Sequence, residues 1–339
     1  MGKRNPAQVT LKDIAQKTGY TINTVSHALK NKPDISAATR LRIQQVADEM
    51  GYVGNALAES MRTGYTRTIA LILGDIANPH LALIACEAER TTRAAGYNTI
   101  LYNTEENPDL ELHAIRSAVA QKADGIILCP TQQNYRNIQY LMQCGIPFVL
   151  VGRCFPDEAL PGTVLDDEQG GLLATRYLLE NGHRRILLLE GPPYISSAQC
   201  RRRGYERALA EYHLTPDPEL ICPVSLSIGS CAGQISALLH RQVEFSAIFA
   251  FSDIIALEAI TELNRHGLRV PTDVSIVGFD HIQGQFPLPT PLASVCARSE
   301  SLAVSAAEQL LQLLDGLPQT QKILPVTLIK QDSVRRHME

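Results

Sequence analysis

Short apolar runs alternate with amphipathic stretches along most of the chain from Thr68 onward. The strand-like runs are TIALILGD, YNTILYN, ADGIILCP and PFVLVG in a first series, then RRILLLEG, LICPV, SAIFAFSD and DVSIVGFD in a second. Apolar residues recur at helical spacing between them, over 81–95, 110–121, 138–143, 170–180, 199–212, 232–241 and 255–265. This alternation predicts an α/β fold with parallel sheets, and two series favour two doubly wound lobes over one oversized sheet.

The first sixty residues have a different pattern, which predicts three short helices around one small core. The residues expected to face that core are Leu11, Ile14 and Ala15 in the first helix, Val25 and Leu29 in the second, and Leu41, Ile43, Val46, Ala47 and Met50 in the third.

The joints between these helices are more informative than the helices themselves. Gly19 follows the first helix, where a left-handed residue turns the chain sharply, and Thr21 has a hydroxyl that caps the next helix. Lys32-Pro33-Asp34 interrupts the pattern again, and Ser36 is placed to cap the third helix. Two short helices that meet across such a glycine turn predict a helix-turn-helix unit, whose second helix enters the DNA major groove.

The polar face of that second helix carries the candidate recognition chemistry. The face is predicted to contain Ile22, Asn23, Thr24, Ser26 and His27, with no acidic residue among them. Asn23 has the amide geometry for an adenine edge, and His27 has a donor for guanine. Thr21, Thr24 and Ser26 suit phosphate oxygens. The alternative is an ordinary solvated face on a small helical bundle, and charge favours the DNA interpretation.

Charge is distributed unevenly along the chain. The whole sequence has a formal net charge of −4, but residues 1–67 contain ten Lys/Arg and five Asp/Glu, a net of +5. The remaining residues therefore carry −9. A small basic part beside a large acidic part fits a polyanionic partner for the basic part.

Composition and motifs exclude several other classes. The 339 residues are 45% hydrophobic and 19% charged, as in globular proteins, and the apolar runs are shorter than the ~20 residues of a membrane span. The first residues contain no apolar signal-peptide core, and eight scattered cysteines include no CxxC pair, so a cytoplasmic protein without metal or cofactor is expected. No P-loop, GxGxxG, HExxH or GxSxG string occurs, so no enzyme activity and no catalytic residues are predicted.

Polar residues follow the predicted strands at their carboxyl ends, where doubly wound sheets bind ligands. The effector-binding candidates are Asp75, Asn78, Asp166, Asp167, Ser197, Arg201, Ser252, Asp253 and Asp280. Each has a plainer alternative, because a strand-end Asp or Ser often only caps the next helix.

The run TLKDIAQKTGYTINTVSHALKN, followed by TR, GY and VGNALAESMRTG, resembles the headpiece of the lactose/galactose repressor (LacI/GalR) family. The resemblance implies that Ile22, Asn23 and His27 read bases. It also implies a hinge helix over 55–62 that forms on DNA and inserts an apolar wedge into the minor groove. Met61 occupies the wedge position, and Gly54 replaces the usual proline. The predicted DNA-binding set is Thr10, Thr21, Ile22, Asn23, Thr24, Ser26, His27, Asn55, Ala58 and Met61.

The resemblance continues through NPHL, NGHRRI, RRRGY, SDIIALEAI, GLRVPTDVSIVGFD and PLASV, and it implies two periplasmic-binding-protein-like lobes. By position, Asp166 or Asp167, Arg201, Ser252 or Asp253, and Asp280 would line the cleft between them. His80 and Leu81 stand where relatives often have two aromatic residues, and the chain has no tryptophan to stack on a sugar. A sugar is the family default, and a nucleobase, a phosphorylated sugar or an amine stays open.

The expected organisation is a headpiece over 8–53, a hinge over 54–67, and an effector-binding and dimerisation domain over 68–339. Its N-lobe is expected at about 68–163 and 297–324, and its C-lobe at about 164–296 and 325–335. The C-terminal LIKQDSVRRHME contains no leucine heptads, which favours a dimer over a tetramer. The expected protein is a repressor that binds a near-palindromic operator in double-stranded DNA under control of a small-molecule effector. The main alternative is a solute-binding protein without DNA function.

Overall fold

The computed structural model describes residues 9–54, 60–61, 63–227, 229–284, 291–299 and 301–337. The chain forms two compact units, Met1–Thr66 and Arg67–Glu339. Among the described residues, no helix combines the length and the apolar character needed to span a bilayer.

The first unit contains three helices, α1 (Leu11–Thr18), α2 (Ile22–Leu29) and α3 (Ala37–Glu49). Gly19 ends α1 in the left-handed conformation with φ of 77°, which a side chain would disfavour. The hydroxyl of Thr21 accepts a hydrogen bond from the Thr24 amide at the start of α2, and Ser36 does the same for α3. The predicted turn glycine and both predicted caps are confirmed.

The core of this unit is made of small and branched side chains: Ile14, Ala15, Val25, Ala28, Ile43 and Ala47. Leu29, Val46 and Met50 are partly buried and pack against it. The prediction for Leu41 is wrong, because its side chain is 69% exposed. Leu41 precedes the buried Ile43 by two positions, which turns it about 200° around the helix and away from the core.

The second unit is built from twelve strands among its described residues. They are β1 (Thr68–Leu73), β2 (Asn98–Asn103), β3 (Gly125–Leu128), β4 (Phe148–Val151), β5 (Gly162–Leu165), β6 (Ile186–Glu190), β7 (Ile221–Pro223), β8 (Ala247–Ala250), β9 (Ser275–Phe279), β10 (Ala293–Ala297), β11 (Gln321–Leu324) and β12 (Val326–Ile329). The helices between them are α4 (Pro79–Ala94), α5 (Pro108–Ala120), α6 (Arg136–Cys144), α7 (Asp167–Glu180), α8 (Ser196–Glu211), α9 (Ala232–His240), α10 (Asp253–Arg265) and α11 (Leu302–Leu314).

Each lobe contains one six-stranded sheet. The first sheet has the order β11-β5-β4-β3-β1-β2, and all its neighbouring strands are parallel. The second has the order β12-β10-β9-β8-β6-β7, with only β12 antiparallel to its neighbour. The predicted pair of doubly wound lobes is therefore confirmed, and in such sheets ligands bind at the carboxyl ends of the strands.

The chain passes between the two lobes three times. It leaves the first sheet after β5, returns after β10 to form α11 and β11, and crosses again to β12. The helix α7 packs on the second sheet and against α8, while α11 packs on the first sheet and against α4. Three separate connections thus tie the lobes together.

Candidate functional site

The outer face of α2 presents the residues predicted to contact DNA. Ile22 is half exposed and Asn23 is exposed, while Thr24, Ser26 and His27 are partly buried. The hydroxyls of Thr21 and Thr24 lie 2.8 Å apart and form a hydrogen bond at the start of the helix. Both threonines therefore stabilise α2, and Asn23 is the most accessible hydrogen-bonding side chain of the face.

His27 has a partner that sequence reasoning on α2 alone missed. Its ring Nδ1 lies 2.5 Å from the Oδ2 atom of Asp34, which belongs to the loop between α2 and α3. The hydrogen bond from His27 holds the pKa of Asp34 below its usual value. An acidic side chain thus adjoins the polar face, although no residue of the face itself is acidic.

The other residues of the predicted DNA-binding set lie outside α2. Thr10 forms a capping box at the start of α1, where its amide and hydroxyl both donate to Asp13 Oδ2, at 2.8 Å and 2.7 Å. Met61 is 87% exposed, and its contact with DNA stays a prediction. Asn55 and Ala58 lie outside the described residues.

A cavity of about 90 Å³ lies between the two lobes of the second unit. Six of the nine predicted effector residues line it: Asp75, Asn78, Ser197, Arg201, Ser252 and Asp280. Asp75, Asn78, Ser252 and Asp280 follow the carboxyl ends of strands from both sheets, and Ser197 and Arg201 lie in the first two turns of α8. Asp166, Asp167 and Asp253 are not among the lining residues.

Arg201 is the centre of a buried charge network at this cavity. Its Nε donates to Asp167 Oδ1 at 2.8 Å, and one of its terminal nitrogens donates to the Phe251 carbonyl. The guanidinium carbon lies 3.4 Å from the centre of the Phe279 ring, a cation–π contact. Burial raises the pKa of Asp167, and the charge of Arg201 opposes that rise. Asp167 therefore lies behind Arg201 and fixes its direction.

Asp253 does not line the cavity but hydrogen-bonds to residues next to it. Its two carboxylate oxygens accept hydrogen bonds from the Ser294 hydroxyl at 2.7 Å and the Ile282 amide at 2.9 Å. Burial, followed by the charge of Asp280, raises the pKa of Asp253 to about 8. Asp280 itself has a φ of 99°, an uncommon backbone conformation for a residue with a side chain.

Several lining residues were not among the sequence predictions. Arg153 donates to both carboxylate oxygens of Glu106, at 2.7 Å and 2.8 Å, and to the Pro130 carbonyl at 2.8 Å. His80 Nε2 lies 3.8 Å from Asp280 Oδ1. Glu258 accepts a hydrogen bond from the Gly229 amide at 2.6 Å. Arg153 follows β4 and Glu106 follows β2, so the strand-end rule would have found both had it been applied to every strand.

Comparison with known families assigns both units. Residues 10–55 match the family model of bacterial regulatory proteins of the LacI family. Residues 66–334 match the model of periplasmic binding proteins and the sugar-binding domain of the LacI family. The chain belongs to the LacI family. It is a DNA-binding transcription regulator with a ligand-binding domain, as the sequence predicted.

Named relatives span nearly the whole chain. The transcriptional repressor PurR of Aliivibrio salmonicida is 31% identical over 307 residues, which cover 89% of this chain and 91% of the relative. The regulator GalR of Escherichia coli K12 is 29% identical, with 96% and 95% covered. The structure of the regulator CelR with cellobiose matches with a TM-score of 0.73 at 27% identity, covering 96% of this chain and 100% of that one.

The Lac repressor dimer bound to its operator and an anti-inducer supports the fold. It matches with a TM-score of 0.86 at 22% identity, covering 97% of this chain and 99% of that one. The predicted combination of a helical headpiece with two α/β lobes is thereby confirmed.

In this LacI-family regulator, three of the predicted effector residues cap helices. The side chains of Asn78, Asp166 and Ser252 accept hydrogen bonds from the first amides of α4, α7 and α10. Asp166 is not among the lining residues of the cavity, whereas Asn78 and Ser252 cap a helix and line the cavity as well. Direct contact of any of these residues with a ligand stays a prediction.

Proposed function

We propose that this regulator is a homodimeric repressor that reads a near-palindromic operator with α2 and responds to a polyhydroxylated effector in the interlobe cleft. The observation that carries the proposal is the exposed polar face of α2, placed directly after the Gly19 turn in the basic unit of the chain. Two headpieces on two half-sites one helical turn apart require two chains. The similarity to a Lac repressor dimer solved on its operator supports that arrangement.

On DNA, Asn23 and His27 contact base edges, and Ile22 adds an apolar contact. Thr10, Thr21, Thr24 and Ser26 face phosphate oxygens, to which their hydroxyls donate. For Thr10, this contact replaces its donation to Asp13 Oδ2. The hinge follows with Asn55, Ala58 and Met61, and Met61 acts as the minor-groove wedge. Its exposure supports this role.

The charges of the cleft favour a ligand that donates hydrogen bonds. Asp75, Glu106, Glu258 and Asp280 are carboxylates that line the cavity, and Arg153 and Arg201 are its guanidinium groups. Glu106 pairs with Arg153, and Arg201 pairs with Asp167 and lies 3.9 Å from Asp280. Among the described residues, this leaves the carboxylates of Asp75 and Glu258 without a guanidinium partner, so the lining has an excess of acceptors. A sugar or polyol, or an amine, satisfies those acceptors better than a phosphorylated compound does. The cellobiose complex of CelR supports a sugar.

The size of the cavity bears on how the ligand acts. Small-molecule pockets usually measure ~300–1,000 Å³, whereas this one measures about 90 Å³. Admitting a sugar therefore requires the lobes or the lining side chains to move apart. Movement of the N-lobe would change the spacing of the hinge segments in the dimer, which stabilises or melts them on DNA. Such a regulator acts on chromosomal DNA, so it works in the cytoplasm at the nucleoid.

The proposed boundaries follow from the same arrangement: a headpiece over 8–53, a hinge over 54–67 and an effector unit over 68–339. Within the effector unit, the sheets support an N-lobe of about 68–163 and 297–324 and a C-lobe of about 164–296 and 325–335.

The test is a mobility-shift assay with DNA fragments that flank the gene for this protein, in the presence and absence of candidate sugars, polyols and amines. We expect specific binding to at least one fragment and a change in affinity with one ligand. A variant carrying Asn23→Ala and His27→Ala is the control, and it should retain only non-specific binding. Absence of specific binding in every ligand state, under conditions where a related regulator binds its operator, would contradict the proposal and favour a solute-binding role.

A further inference from the structure

The hydrogen bond between His27 and Asp34 joins a base-reading candidate to a residue seven positions later. The side chain of His27 is 25% exposed, and that of Asp34 is 52% exposed. The His27 ring has two nitrogens on opposite edges, and Asp34 occupies the side of Nδ1. Nε2 therefore lies on the other side of the ring.

Asp34 lies in a loop that is held by hydrogen bonds from α3. A terminal nitrogen of Arg40 donates to the carbonyls of Lys32 and Ile35, at 2.7 Å and 3.1 Å. The Lys32 amide in turn donates to the carbonyl of His27 at 3.1 Å. The carboxylate is thus held beside the last turn of α2 by contacts on both sides of it.

The protonation of this pair follows from its chemistry. Because the pKa of Asp34 is lowered, its carboxylate is ionised near neutral pH and only accepts hydrogen bonds. Nδ1 of His27 must then carry the proton of this hydrogen bond. With its proton on Nδ1, the imidazole presents a lone pair at Nε2, which accepts a hydrogen bond. An acceptor at Nε2 matches the exocyclic amino group of adenine or cytosine in the major groove.

We propose that Asp34 is a positioning residue for base recognition, which holds Nδ1 of His27 and presents an accepting Nε2 to the amino group of adenine or cytosine. This inference rests on the proposed function, because it requires α2 to read DNA. It has a second consequence: a carboxylate near the DNA weakens attraction to phosphates of any sequence. Asp34 therefore raises discrimination between sequences and lowers non-specific affinity at the same time.

The test compares Asp34→Ala with Asp48→Ala in the full-length protein. Asp48 is exposed on α3, so its replacement removes the same charge from the same unit and leaves His27 untouched. Affinities are measured for an operator selected from random DNA, and for versions with each base pair exchanged in turn. We expect Asp34→Ala to lose about tenfold discrimination at the base pair that His27 reads, and to bind non-specific DNA more tightly. Asp48→Ala should keep the wild-type discrimination.

Two further measurements separate positioning from a general effect on folding. In protein labelled with ¹⁵N-histidine, the His27 signals should show a protonated Nδ1 in the wild type and a changed protonation pattern in Asp34→Ala. The variant Asp34→Asn retains an oxygen that accepts from Nδ1, so it should recover part of the discrimination. Unchanged discrimination in Asp34→Ala, or an equal loss in Asp48→Ala, would overturn the inference. A wild-type protein that selects no sequence would instead contradict the proposed function itself.

Discussion

The headpiece and the effector unit hold their functional side chains by contacts of very different range. Around α2, Thr21 pairs with Thr24 three residues away, and His27 pairs with Asp34 seven residues away. At the cleft, Arg201 pairs with Asp167 across 34 residues, and Asp253 pairs with Ser294 across 41. A change in the headpiece should therefore stay local, whereas a change at the cleft disturbs elements that are far apart in the chain.

The largest effect is expected from Arg201→Ala. Removing the guanidinium leaves the Asp167 carboxylate buried without its partner, which lowers the free energy of unfolding by about 3–5 kcal/mol. Arg203→Ala is the matched control on the same helix, because its ion pair with Glu168 is exposed and contributes under about 1 kcal/mol. Urea denaturation followed by circular dichroism measures both. Equal, small losses would show that the buried network does not hold the cleft together.

The next largest effect concerns the contact between α7 and α8. A Cβ atom on Gly204 would lie 2.1 Å from the Glu168 carbonyl oxygen, so Gly204→Ala should destabilise the effector unit by about 3 kcal/mol. A Cβ atom on Gly233 in α9 would meet nothing within 4 Å, and Gly233→Ala should be neutral or slightly stabilising because alanine favours helix. Denaturation midpoints give the comparison. A tolerated Gly204→Ala would mean that the two helices pack less closely than described.

A pH-dependent effect is expected from His183, which links the start of β6 to the C-terminal segment. It hydrogen-bonds to the Ser246 hydroxyl at 2.9 Å and the Arg335 carbonyl at 3.1 Å. Burial lowers the pKa of His183 to about 4 from its usual 6.5. Between about pH 6.5 and pH 4, the unfolded chain therefore binds a proton at this histidine that the folded chain does not bind. The free energy of unfolding falls as the pH is lowered through this range.

Protonation of His183 should account for about 2–3 kcal/mol of that loss. His183→Gln should flatten the dependence of the free energy of unfolding on pH over this interval, whereas replacement of the exposed His113 by Gln should leave it unchanged. Denaturation at a series of pH values measures the slope. The same slope in His183→Gln and wild type would rule out this histidine as its source.

The smallest effect is expected in the headpiece itself. Thr21→Ala removes the hydroxyl that caps α2 and should lower its local stability by about 1 kcal/mol, while Thr21→Ser keeps the hydroxyl and most of the stability. Hydrogen exchange of the α2 amides reports this loss, and the unfolding midpoint of the effector unit should not move. If Thr21→Ala shifted the unfolding midpoint of the effector unit as much as Arg201→Ala does, the effects of headpiece changes would not be local.

The range of contacts also explains how far the sequence could predict this molecule. Gly19, Thr21 and Ser36 act on neighbouring residues, so their roles were predictable from local spacing. Leu41 was misplaced because its position within α3 depends on which face meets the other helices. Asp34 was missed for a similar reason. It lies after the end of α2, and only the path of the following loop brings its side chain back to His27.

At the cleft, the strand-end rule found Asp75, Arg201 and Asp280. It could not tell which of the neighbouring polar residues line the cavity and which lie behind it. The direction of Asp167 toward Arg201, rather than into the cavity, depends on the packing of α7 against α8. The strands β5, β10, β11 and β12 lay outside the predicted series, although they are no shorter than the predicted β3, β4 and β8. Their pairing joins segments that are distant in the chain. Pairing over such distances leaves little trace in local periodicity.

The most direct test of the central claim, that the α2 face reads base pairs, is the sequence dependence of binding by His27→Ala. Affinities for the selected operator and its single-base-pair exchanges are measured over a range of salt concentrations. The account predicts a loss of ~1–3 kcal/mol of discrimination at one base pair in each half-site, with a nearly unchanged salt slope. A uniform loss of affinity for all sequences would contradict it.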